Sequence, residues 1–164
     1  MRLSSNFFQG DLASLETVGS LTTLDLGDNR LAGDLEPLAH LLLLKVLVLR
    51  NNCFSGTLDS LASLTELQTL DVFDNHLQGG LIGLRGLTRL ERLTLDRNSF
   101  EGDVTPLETL ENLRELTMEY NHMQGPTIVP CPRLDGRKRR VHDAHQTNTC
   151  GRRHPWSNPV DDKS

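Results

Sequence analysis

The feature that most constrains this chain is the module formed by residues 21–35, which returns along the sequence with a fixed period of 23 residues. Each copy carries an asparagine at the same place, with no insertion or deletion between copies: Asn6, Asn29, Asn52, Asn75, Asn98 and Asn121. A constant period of this size is typical of a solenoid, in which each unit buries its apolar face against the next one.

The other positions of the module stay in register with the asparagines. Leucines stand eight and five residues before each Asn from Asn29 onward, apolar residues stand three before and two after every copy, and a glycine stands four after. The pattern LxxLxLxxNxLxGxL resembles the leucine-rich-repeat family, over about residues 1–128. The LxGxL part is similar to plant-type receptor repeats, although the period is 23 and the usual Ile-Pro after the glycine is absent. The resemblance implies an α/β solenoid: a right-handed coil with a curved parallel sheet on its concave face.

The residue types agree with this fold on physical grounds. In each LxL segment, strand alternation places both leucines on one side. The inward asparagine must satisfy its amide with backbone groups, which predicts a ladder of hydrogen bonds between units. The glycine suits a positive φ or a close approach between coils. Leu35, Leu38 and Leu41 continue inward at spacing three, which predicts 3₁₀ or irregular convex turns.

The composition divides the chain into two parts. Residues 1–130 hold nine Arg and Lys against eighteen Asp and Glu, whereas residues 131–164 hold eight against four. The predicted repeat domain comprises a partial unit and five full ones, with these bounds: 1–20, 21–43, 44–66, 67–89, 90–112 and 113–130. The tail, 131–164, has too few apolar residues to offset its ordering entropy, so it is predicted to be disordered or loosely associated.

The start of the chain falls in the middle of a unit, without a capping element, which favours a piece of a longer array. Neither a signal peptide nor an apolar membrane-spanning run is present in the sequence. The expected location is therefore cytoplasmic, unless the chain is part of a secreted or membrane receptor.

The candidate binding residues are those that point away from the leucines on the predicted concave face, where ligands commonly bind in this family. Val46, Val48 and Phe73 would form an apolar centre, and Arg50, Asp71 and Asp74 a charged rim, the arrangement expected of a binding hot spot. A small patch of this kind is also normal on a protein surface. The remaining candidates extend the same face: Asp25, Asp28, Asp96, Arg97, Glu119 and Tyr120.

The sequence thus predicts a non-enzymatic protein-binding or scaffold module whose acidic face favours a basic protein or peptide. No catalytic motif is present, and neither a metal nor a cofactor is predicted. One alternative is an ectodomain fragment of a leucine-rich-repeat receptor kinase or a surface antigen. Others are a nuclear or nucleic-acid-associated factor acting through the basic run 137–140, for which the signal is weak, and a purely structural spacer.

The tail offers further weak candidates. Cys131, His142, His145, Cys150 and His154 lack paired zinc-ligand spacing, and a Cys131–Cys150 disulfide would need an exported protein. The basic tail could also lie across the acidic face as a salt-sensitive cover. His76 and His122 share a column with Cys53, but on strands too far apart to hold one metal, so they are read as surface side chains.

Overall fold

A computed structural model describes residues 1–124 of the chain and the strand Arg140–His142. Each repeat contributes one short strand to a first parallel sheet, and equivalent residues pair across it: Thr23 with Val46, Val46 with Thr69, and so on to Glu115. Its repeat strands are Thr23–Asp25, Val46–Val48, Thr69–Asp71, Arg92–Thr94 and Glu115–Thr117. This sheet confirms the strand predicted for the LxL segment.

A second parallel sheet, which the sequence did not predict, follows the asparagines. Its strands are Gln9–Gly10, Arg30–Gly33, Cys53–Gly56, His76–Gly79, Ser99–Gly102 and His122–Met123. The first five of these strands each end in a glycine, and all five glycines have φ between +81° and +100°. This conformation is the one that glycine adopts without steric cost, and it turns the chain toward the convex side.

The convex side consists of short 3₁₀ helices, as the leucine spacing of three predicted. They are Ala13–Leu15, Glu36–Leu38, Asp59–Leu61, Ile82–Leu84 and Thr105–Thr109. Leu35, Leu38 and Leu41 are completely buried within one such turn. Within the described residues, no helix is long and apolar enough to cross a membrane.

The core is a continuous stack of leucines, completed by an asparagine ladder. Asn52 shows the pattern: its amide nitrogen donates to the carbonyls of Leu26 and Leu49, both at 3.0 Å, while its oxygen accepts from the Leu31 N–H at 2.9 Å. Asn75 and Asn98 repeat the same bonds one and two units later. The ladder therefore satisfies the buried amides and joins successive units, as predicted.

At its C-terminal edge the first sheet acquires one more strand. Arg140–His142 pairs in parallel with Glu115–Thr117, aligning Arg140 with Glu115. The offset is 25 residues, where the repeats have 23. These three residues lie in the segment predicted to be disordered or loosely associated. The rest of the predicted tail, and the boundary at residue 130, lie outside the described residues.

Candidate binding site on the first sheet

A turn with an unusual backbone conformation follows each of the five repeat strands of the first sheet. The residue directly before each asparagine has φ between +52° and +57°, a left-handed conformation that costs a non-glycine residue about 1–2 kcal/mol. Backbone hydrogen bonds between units support it: Asp28 N–H donates to the Arg50 carbonyl at 2.8 Å, and Asp74 N–H to that of Asp96 at 3.0 Å. The column so formed is Ser5, Asp28, Asn51, Asp74, Arg97 and Tyr120.

Three side chains from consecutive units form a stack on this face. The guanidinium carbon of Arg97 lies 5.8 Å from the centre of the Phe73 ring and 5.4 Å from the centre of the Tyr120 ring. Both contacts are within cation–π range. Tyr120 remains 64% exposed, and Phe73 is half-buried. The stack thus holds two aromatic rings and a cation in a fixed arrangement on an open surface.

The second cation of the face, Arg50, is paired with a neighbouring carboxylate. Its Nη2 lies 3.2 Å from Asp28 Oδ2, while Asn51 Nδ2 donates to the other oxygen, Oδ1, at 2.5 Å. The Asn51 hydrogen bond, followed by the interactions with Arg50, lowers the pKa of Asp28. Gly27 leaves room for this pair, because a Cβ there would lie 3.1 Å from Cγ of Arg50. The carboxylate of Asp28 is therefore already bound by Arg50 and Asn51 of the same protein.

Asp71 lies beside a shallow hollow and has a different environment. The hollow has a volume of about 380 Å³ and is lined by Asp28, Arg50, Asn51, Asp71, Phe73 and Thr94. The Asp71 carboxylate accepts the Phe73 N–H at 3.1 Å. Burial raises the pKa of Asp71, and the nearby Asp96 and Asp28 raise it further, against the opposing effects of the Phe73 hydrogen bond and Arg50. We call this feature the Asp71 hollow.

Asp96 is predicted to contact a partner, but its carboxylate lies inside the structure. The residue is only 8% exposed. One oxygen accepts the Glu119 N–H at 2.8 Å, and the other accepts the Thr117 hydroxyl. Asp96 therefore links two repeats instead of presenting a free carboxylate. The sequence placed it in the correct column but did not reveal the hydroxyl donor on the next strand.

The other predicted residues divide between the centre of the face and its margin. Val48 is half-buried, between Asp25 and Asp71 in the sheet register. Phe73 lines the Asp71 hollow. Val46 lies at the opposite end of its strand, half-buried between Thr23 and Thr69. Asp25, two strands away from Asp71, lies outside the hollow. We define the central patch as Val48, Asp71, Phe73, Arg97 and Tyr120.

The other candidate groups form no visible site. Cys53 is a free, exposed cysteine, and the described residues contain no group of three metal-ligating side chains that could hold an ion. The predicted tail cluster and the Cys131–Cys150 pair lie outside the described residues, apart from the backbone of His142.

Comparison with known proteins points to one family. The leucine-rich-repeat family model matches residues 20–41, and no curated protein matches the chain. Among solved structures, the ectodomain of the Arabidopsis thaliana membrane receptor kinase GASSHO1/SCHENGEN3, in complex with CASPARIAN STRIP INTEGRITY FACTOR 2, is 32% identical with a TM-score of 0.74. The match covers 79% of this chain and 16% of that one. The ectodomain of the Arabidopsis receptor kinase SOBIR1 is 28% identical, with a TM-score of 0.67 over 77% and 72% of the two chains.

A bacterial relative has the same fold. Internalin C2 of Listeria monocytogenes is 29% identical with a TM-score of 0.60, over 76% of this chain and 63% of that one. The chain spans about a fifth or less of GASSHO1/SCHENGEN3 and of two further receptor structures. The period, the paired strands, the asparagine ladder and these likenesses agree: the chain is a leucine-rich-repeat protein, similar to plant receptor-like repeat proteins.

Proposed function

We propose that this protein is a recognition module that binds an extended segment of a protein or peptide across the central patch. The observation that carries the proposal is the stack of Phe73, Arg97 and Tyr120, because it orders rotamer-rich side chains before any partner arrives. Binding then costs less side-chain entropy, which is the usual advantage of a preorganised surface. Aromatic residues and arginine are also the types most enriched at interface hot spots.

The orientation of the patch supports an extended ligand. Val48, Phe73 and Tyr120 come from three different units, and parallel strands are spaced about 4.8 Å apart. A partner that contacts all three must therefore cross the strands along the solenoid axis. Among the similar structures, GASSHO1/SCHENGEN3 was solved in complex with CASPARIAN STRIP INTEGRITY FACTOR 2, and the plant peptide hormone receptor RGFR1 in complex with RGF2. By likeness, a protein or peptide is the class of partner we propose here.

The test is a selection of peptides from a random display library on the full-length protein. Affinities of the enriched peptides would be compared between the native protein, the double variant Phe73→Ala, Tyr120→Ala, and the control Leu42→Ala. Leu42 is 54% exposed but lies outside the first sheet. We expect the double variant to lose at least about tenfold in affinity, as hot-spot truncations do, and the control to be unchanged. Enriched peptides that bind the double variant equally well would refute the proposal.

A wider form of the proposal is that the module works within a longer, receptor-like protein. It is supported by the similarity to receptor ectodomains. The size of the native protein in its cells, detected with an antibody against residues 21–124, tests this form. A larger product would support it, and a product of the size of this chain would contradict it.

A further inference from the structure

We infer that the Asp71 hollow receives a basic side chain, arginine or lysine, from the bound protein segment. This inference rests on the proposed function and specifies the chemistry of one position of the ligand.

Arg50 and Arg97 each have another partner, so Asp71 receives only a partial electrostatic compensation, from Arg50. Arg50 is paired with Asp28 at 3.2 Å, and the Arg97 guanidinium stacks on Phe73 and Tyr120. Among residues 1–124, Asp71 forms no ion pair. Its carboxylate accepts a hydrogen bond from the neutral Phe73 N–H. A ligand cation would thus supply the direct ion pair that Asp71 lacks among these residues.

The surroundings of Asp71 suit a long basic side chain more than a small cation. Val48 lies beside it in the sheet register, and the Phe73 ring lines the same hollow. The methylene stem of arginine or lysine packs on apolar groups of this kind while its charged end reaches a polar partner. Thr94, on the next strand, adds a hydroxyl to the lining.

Partial burial makes this carboxylate a stronger attachment point than an exposed one. Exposed ion pairs contribute little because water and salt screen them, whereas an interaction in a partly desolvated site is screened less. Asp71 is half-buried beside the hollow, so its charged form lacks part of its hydration, and this burial raises its pKa. A cation that enters the hollow restores the lost stabilisation of that charge.

Asp25 provides a matched comparison within the same protein. It occupies the equivalent position of its strand, two units earlier, and accepts the Gly27 N–H at 3.2 Å just as Asp71 accepts that of Phe73. It differs in that it lies outside the Asp71 hollow and lacks the aromatic ring at the following position, since Gly27 stands where the later unit has Phe73. If the strand position alone attracted a cation, Asp25 would bind it as well.

The experiment titrates isotope-labelled full-length protein with N-acetyl-arginine amide and with its neutral isostere, N-acetyl-citrulline amide, while NMR follows the amide signals of Phe73 and Thr94. We expect saturable shifts with the arginine probe and binding at least about tenfold weaker with the citrulline probe, as loss of a charge-assisted hydrogen bond predicts. Asp71→Asn should weaken arginine binding to a similar extent, and Asp25→Asn should leave it unchanged.

Three results would overturn the inference: equal binding of the two probes, the absence of a saturable shift, or equal effects of Asp25→Asn and Asp71→Asn. Failure here is distinguishable from failure of the proposed function. Some selected peptides could require Phe73 and Tyr120 but bind the Asp71→Asn variant with unchanged affinity. That result would refute the basic-side-chain inference and still support the recognition surface. Selected peptides indifferent to Phe73 and Tyr120 would refute the surface itself.

Discussion

The guanidinium carbon of Arg97 lies 5.4 Å from the centre of the Tyr120 ring, which belongs to the next repeat. The left-handed turn places both residues in one column before the buried asparagines, with φ of 54° and 56°. The column thus brings large side chains from neighbouring units into contact along the solenoid. A binding surface can be built from it without any change in the core.

We predict that this stack persists in the free protein in solution. Ring currents from Phe73 and Tyr120 should then shift the Hδ protons of Arg97 upfield. Tyr120→Leu should remove part of that shift, since it removes one of the two rings. Proton NMR of the native protein and the variant measures the effect. Hδ shifts of Arg97 equal to those of a free arginine would show that the surface is not preordered.

The asparagine ladder should dominate stability. Asn75 is 6% exposed, donates to Leu49 and accepts from the buried Phe54 N–H at 3.0 Å. Because Asn75→Ala leaves several buried groups unpaired at about 1–3 kcal/mol each, we expect a loss of roughly 3–5 kcal/mol in unfolding free energy, measured by urea denaturation. Asn6→Ala is the control. Because Asn6 is exposed, this substitution should lower the unfolding free energy by less than about 1 kcal/mol. Equal losses would contradict the ladder's role.

Gly83, on the convex side, lies at a position where only glycine fits. A Cβ on Gly83 would lie 2.5 Å from the Leu58 carbonyl oxygen and 2.7 Å from the Asp59 Cα, both backbone atoms of the preceding unit. Gly83→Ala should therefore destabilise the fold by about 1–3 kcal/mol through overpacking. Gly86→Ala, whose Cβ would have no neighbour closer than 3.8 Å, should change stability by less than about 1 kcal/mol. Thermal unfolding of the two variants tests the difference, and equal melting temperatures would be inconsistent with close packing at Gly83.

The pKa values of the two carboxylates that line the hollow, Asp28 and Asp71, should be shifted in opposite directions. Burial raises the pKa of Asp71 above the ordinary value of 3.8, whereas the Asn51 hydrogen bond, helped by Arg50, lowers that of Asp28. Carboxyl-carbon NMR against pH measures both. Coincident titrations would contradict the contrast between a partly desolvated carboxylate and a paired one.

The raised pKa of Asp71 also has a consequence for stability. A group whose pKa is higher in the folded state stabilises that state at low pH, and this contribution is lost as pH rises from about 3.8 through the folded pKa. At neutral pH the ionised Asp71 therefore costs stability. Asp71→Asn keeps an acceptor for the Phe73 N–H. It should raise the melting temperature at neutral pH and leave it nearly unchanged at acidic pH. A lower melting temperature at neutral pH would show that the charge is stabilising.

The repeat period predicted those parts of the fold that depend on one residue type at one position. Leu24, Leu47 and Leu70 had to be buried, and Asn52 had to find backbone partners, because no other arrangement of a 23-residue coil satisfies them. The second sheet was missed because a segment such as Arg30–Gly33 has one inward residue and ends in glycine, which is too short a pattern to identify a strand. Alternation around Leu31 was the available signal.

The candidate site was predictable as a face but not as a set of pairings. Strand alternation placed Phe73 and Asp71 on the open side, yet nothing in the period showed that Arg50 pairs with Asp28 or that Asp96 bonds to the next repeat. These pairings depend on distances between side chains of different units. The left-handed turn had a partial signal in the sequence, since Asp28, Asn51 and Asp74 are residue types that favour a positive φ. Arg97 and Tyr120, in the same column, are not.

Side-chain footprinting with hydroxyl radicals, with and without a peptide enriched on the full-length protein, tests the recognition surface most directly. Tyr120 is 64% exposed, and three apolar side chains away from the patch provide internal controls: Phe7 at 79%, Ile82 at 57% and Leu42 at 54%. We predict that the peptide protects Tyr120 and Phe73 from oxidation and leaves the three controls unchanged. Protection of Phe7, Ile82 or Leu42 with Tyr120 still fully reactive would place the binding surface elsewhere and contradict the account.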